Sequence, residues 1–196
     1  MNPVRFLGEA LRTASHSIGF LWRTQGNERR DLISQLQAIC SNCDDAYSTV
    51  LEKLAPIKQA YGDRKALADK MRMFAADSET RKAFKPEHLC GEVDQLLQRL
   101  SSNADWLKYS VDLRGIERLR GAISNMSSYD GELRDYYDDY TREMDQLATV
   151  LQSDMTDQDA KERLEYAQHI VDELECDLSE TLDNIRNAKK QVRNLI

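Results

Sequence analysis

Apolar side chains recur at steps of three and four along most of this chain. Leu32, Leu36, Ile39, Cys43, Ala46, Val50, Leu54, Ile57 and Tyr61 form one such seam, the pattern of a helix that buries a single face. Leu119, Ile123, Met126, Leu133, Tyr137, Tyr140, Met144, Leu147 and Leu151 hold a second seam in one phase, with Asp130 the only polar residue at a seam position. Leu164, Ala167, Val171, Leu174, Leu178, Leu182, Ile185, Lys189, Val192 and Ile196 carry a third.

Punctuation between the seams is legible. Asn2 before Pro3 places a capping side chain ahead of a proline whose missing N–H costs nothing at the first helical position. Gly26-Asn27 ends the first helix and starts the second near Glu28, with a kink expected at Pro56. Gly62-Asp63 is a stop and a cap. A shorter helix marked by Leu67, Met71 and Phe74 follows, running out near Asp77 or continuing toward Phe84. Lys85-Pro86-Glu87 restarts the chain into a short helix with Val93, Leu97 and Leu100. Ser102 to Asp105 and Thr156 to Asp159 are further caps. The helix between them, unbroken from Asn103 to Gln152, would span about 75 Å at 1.5 Å per residue. Ser127 to Gly131 is good turn chemistry, so a break near Ser128 is the alternative.

Short connections between long helices favour antiparallel neighbours. The expected fold is therefore all-α: an elongated antiparallel helical bundle of three long helices (the second, fifth and sixth) plus short helices, preceded by an amphipathic N-terminal helix. Residues 1–25 form that helix and 27–196 the coiled-coil-like bundle in this reading. Composition agrees, since 41% hydrophobic and 31% charged residues with 8 Gly and 3 Pro are too apolar for disorder and too poor in turn residues for an all-β chain. Charges break every run short of the roughly 18 apolar residues a spanning helix needs. With no secretory pattern at the start, and Cys40, Cys43, Cys90 and Cys176 in helix-like stretches rather than a short-loop framework, thiols in a reducing cytoplasm are expected.

Charge changes the picture more than its net value of −7 suggests. Residues 1–30 hold five arginines against Glu9 and Glu28, a net +3, while Asp130 to Asp177 places sixteen acids against four bases, a net −12. Past Asp183, Arg186, Lys189, Lys190 and Arg193 meet no acid. Such an acidic middle argues against nucleic acid. It favours a homo-oligomer in which the basic C-terminal end of one copy meets the acidic middle of the next.

Candidate chemistry is thin. Cys40-x-x-Cys43 with His88-x-Cys90 has zinc-ligand residue types, but Cys43 falls on a helical seam, where cysteine is a small core residue. Glu165, His169 and Glu173 share one face beside Asp172 and Cys176, without the Glu-x-x-His spacing of helical carboxylate metal sites, and read as solvated. Tyr137 and Tyr140 sit on the seam as packing groups, leaving Tyr136 for an interface. No catalytic motif and no cofactor is expected, and the reading is a non-enzymatic interaction protein.

The N-terminal helix carries the sharpest functional expectation. Val4, Leu7, Ala10, Leu11, Ala14, Ile18, Leu21 and Trp22 fill an apolar arc of about 120° on a helical wheel, extended by Phe6 and Phe20. Arg5, Arg12, His16 and Arg23 lie opposite, with only Glu9 against them, and Gly8, Ser15 and Gly19 form a small-residue boundary. This is the composition of a helix lying in a bilayer interface. Arg5, Phe6, Leu7, Leu11, Arg12, Ile18, Phe20, Leu21, Trp22 and Arg23 are the expected contacts to an anionic membrane surface, placing the protein at the inner face of the membrane. A protein partner docked through the same helix is the alternative, and packing on the protein's own core is the plain structural reading.

Overall fold

The computed structural model describes residues 2–20, 26–83, 86–102, 132 and 135–194, with 17–20, 26–29, 83, 86–91 and 101–102 as backbone alone. Helix α1 spans Pro3–Phe20, α2 Gly26–Lys58, α3 Arg64–Ala75, α4 Ser78–Ala83 and α5 Pro86–Ser102. A helical stretch over 135–152, α6 here, precedes α7, Asp157–Arg193. The architecture is all-α, with no strand among the described residues. None of the described helices is long and apolar enough to cross a membrane. The possible break near Ser128, and the stretch from Asn103 that would extend α6, lie outside the described residues.

Caps form where short polar side chains precede apolar runs. Asp63 accepts hydrogen bonds from the backbone N–H groups of Lys65 (2.9 Å) and Ala66 (3.1 Å) and so starts α3. Thr156 Oγ1 accepts from Asp159 N at 3.2 Å to start α7. The α3 region runs out near Asp77, the first of the two expected courses, and does not continue unbroken toward Phe84. It ends at Ala75 and α4 begins at Ser78, because Asp77 Oδ2 accepts the Thr80 N–H at 3.0 Å and acts as a new cap. At its far end α2 runs through Pro56 and stops two residues later at Lys58.

Among the described residues one core joins α1, α2, α3, α5, α6 and α7, and the sequence seams supply most of it. Leu32, Leu36, Ile39, Cys43, Val50, Leu54 and Ile57 are buried along α2, as are Ala167, Val171, Leu174, Leu178, Leu182, Ile185 and Val192 along α7. These helices run antiparallel, tied by Lys58 to Asp172 (3.3 Å) at one end and Arg186 to Asp44 (3.0 Å) at the other. Alpha-helical rise makes them about 50 and 55 Å long.

A second buried stripe on α7, Ile170, Asp177, Thr181 and Ala188, lies beside the seam, and α1 packs against α7 at Asp177 and Thr181. Val4, Phe6, Leu7, Ala10, Leu11 and Ala14 belong to the same core cluster as α2 and α7. Arg5 bonds Asp177 and Ser15 approaches Gln191, so α1 runs parallel to α7, not antiparallel. Connection length dictates orientation only for consecutive helices, and these two are the first and last.

Candidate interaction surface on the N-terminal helix

Helix α1 places its apolar arc inward. Val4, Leu7, Ala10, Leu11 and Ala14 are essentially inaccessible and Phe6 is buried. The small-residue boundary is where α1 and α7 come closest. A Cβ at Gly8 would lie 3.1 Å from Asn184 Cβ and 3.2 Å from the Thr181 carbonyl oxygen, so glycine permits the approach. Seven residues further along the helix, the buried Ser15 Oγ lies 2.7 Å from both Gln191 Oε1 and the Arg12 carbonyl.

The start of α1 is clasped by polar groups from two other helices. Asp177, a carboxylate on the inner side of α7, is 4% exposed. Its Oδ1 accepts from Arg5 Nε at 2.8 Å and its Oδ2 from the Tyr136 hydroxyl at 2.6 Å and from Asn2 Nδ2. Arg5 also reaches Glu180 at 2.8 Å. Asn2 completes the arrangement by capping α1, its Oδ1 accepting from Val4 N at 2.9 Å. Burial, reinforced by the neighbouring carboxylate, pushes the Tyr136 phenol far above its ordinary range, so it remains a donor to Asp177. A carboxylate removed from water is tolerable only when its lone pairs are filled this way.

The predicted contact residues are thus divided. Phe6, Leu7 and Leu11 are in the core, Arg5 is half-exposed in the clasp, and Arg12 is exposed. Ile18 and Phe20 lie in the last turn of α1, and their side chains, with Leu21, Trp22 and Arg23, lie outside the described residues. Tyr136 is an internal clasp residue rather than an interface residue. Tyr137 is buried, and Tyr140 packs its ring 4.8 Å from that of Tyr136.

Other singled-out residues fall in structural places. Cys40 and Cys43 are fully buried, and burial pushes the Cys40 thiol up to about 12, which makes it inert. Glu165, His169, Asp172, Glu173 and Cys176 are exposed on α7. No group of three potential ligands among the described residues is placed to hold a metal, and the side chains of His88 and Cys90 lie outside them. Of the basic C-terminal residues, Arg186 and Lys189 bind Asp44 of the same chain at 3.0 and 3.3 Å. Burial raises the Asp44 carboxyl, but the two cations outweigh it and hold it below the usual range. Lys190 and Arg193 are exposed.

Sequence reasoning missed Asn2 as a clasp residue, Asp177, and Glu180. Asp177 stands among Glu173, Glu175 and Glu180 and carried no local signal. No protein-family model, curated protein or solved structure matches the chain.

Proposed function

We propose that this chain is a non-enzymatic helical interaction protein that self-associates in the cytoplasm through oppositely charged outer surfaces. The observation that carries the reading is the distribution of exposed charge. Asp139, Asp154, Asp157, Asp159, Glu162 and Glu165 are exposed along α6, the connection after it and the start of α7, while Lys65 and Lys70 on α3 and Lys190 and Arg193 on α7 face solvent with the opposite sign. Inside, by contrast, Asn2, Arg5, Tyr136 and Asp177 bond one another across three helices, which is cohesion rather than chemistry aimed at a cavity. The buried thiols of Cys40 and Cys43 suit a reducing compartment.

Docking on an anionic membrane or a protein partner through the apolar face of α1 requires that helix to leave α7. The exposed Arg12 and His16 would then be available to an anionic surface, but the Asp177 clasp and the Gly8 contact oppose release. Static light scattering tests self-association. The mass is expected to exceed 22.6 kDa at low salt and to fall toward it at several hundred millimolar, because exposed charges are screened beyond about 8–10 Å near 0.1–0.15 M. A salt-independent monomer would contradict the reading.

A further inference from the structure

The surface between α2 and α3 holds an open groove of about 250 Å³, lined by Lys53, Pro56, Ile57, Lys70, Met73 and Phe74 and closed at one end by Asp77. Ile57 and Phe74 form its buried floor, and Pro56 is exposed at its edge. Met73 stands beside it as a knob, 65% exposed, where a methionine would ordinarily be covered. An unbranched, polarisable side chain next to a hollow of this kind suits adaptable contact.

Charge of opposite sign flanks the knob, a cation on α3 before it and acids at the start of α4 after it. Lys70, three residues before Met73, is exposed and has no ion-pair partner among the described residues. Asp77, four residues after Met73, and Glu79 beyond it form an acidic edge already bound to Lys53 at 2.5 and 3.0 Å. Helical rise puts Lys70 about 4.5 Å before Met73 along α3, and Asp77 follows just past the end of that helix, lining the same groove.

From this order we infer that the Met73 groove is an isologous interface with a second copy of the chain. A two-fold axis passing near Met73 reverses the direction of the partner's α3. Each methionine then enters the other copy's groove, and Lys70 of each copy faces the acidic edge of its partner. A patch that carries knob, hollow, cation and anion in this sequence is complementary to itself, which is the requirement of a closed dimer. The inference rests on the self-association proposed above and specifies where it occurs.

Sedimentation equilibrium over a wide concentration range tests it, with thermal melts as a check on folding. Wild type is expected to approach twice 22.6 kDa as concentration rises. Met73→Glu should weaken the dimer at least tenfold without lowering the melting temperature measured at concentrations where wild type is monomeric, because the side chain is exposed. Lys70→Glu should weaken it, and adding Glu79→Lys to that variant should restore it, since the exchange re-pairs the charges between copies. Met73→Cys in a Cys176→Ser background should form a disulfide-linked dimer under mild oxidation that the parent does not. A wild type that associates equally well with Met73→Glu, and gives no cross-link at position 73, would overturn this interface and leave self-association standing. A mass of one chain at every concentration would remove both.

Discussion

Asp77 shows how much a single side chain decides. Its carboxylate caps α4, accepts from Thr80 N at 3.0 Å and pairs with Lys53 at 2.5 Å. Lys53, then Thr80, hold it well below the usual carboxylate range. A carboxyl whose pKa is depressed by folding contributes stability that is present above its unfolded value of 3.8 and is lost as pH falls toward the folded value. Asp77→Ala is therefore expected to lower stability at neutral pH by about 1 kcal/mol, the usual cost of a lost cap. In paired melts the gap to wild type should narrow as pH drops below 3.8; a gap independent of pH would mean the charge is not what matters. The cap itself was readable, because Asp77-Ser78-Glu79-Thr80 has N-cap chemistry ahead of a new turn. Asp177 was not, since its partners Asn2, Arg5 and Tyr136 are 175, 172 and 41 residues away and no local pattern names them.

At the scale of elements, periodicity located the buried faces but not what covers them. Of the predicted arc, Val4, Leu7, Ala10, Leu11 and Ala14 are buried, while the side chains of Ile18, Leu21 and Trp22 lie outside the described residues; yet an apolar stripe looks the same whether lipid or protein lies against it. Two features bore on the choice. Gly8 and Ser15, seven residues apart at the edge of the arc, mark a line of close helix approach, and α7 carries Ile170, Thr181 and Ala188 beside its main seam, giving it a second face to bury. If α1 is a core element, Leu11→Ala should lose about 2–5 kcal/mol by chemical denaturation, the range for an emptied core leucine. Gly8→Val, which has no room against Asn184 and Thr181, should lose about 1–3 kcal/mol. Exposed Arg12→Glu should stay within about 0.5 kcal/mol. A Leu11→Ala protein as stable as wild type would detach α1 from the core.

Across the whole molecule, α7 is the axis of the bundle, with α2 and α6 antiparallel to it and α1 parallel. An all-α bundle followed directly from the three seams and the caps between them. The parallel course of α1 did not, because it depends on the first helix finding the last. The central claim is that α1 is folded onto α7 with its apolar face inside, and hydrogen–deuterium exchange reads this directly. Amides from Leu7 to Ser15 should be protected to the same order as those of the facing stretch of α7, with or without vesicles containing anionic lipid. Amides in that stretch of α1 that exchange at the rate of an unstructured peptide while α7 stays protected, or that gain protection only when vesicles are added, would contradict the account.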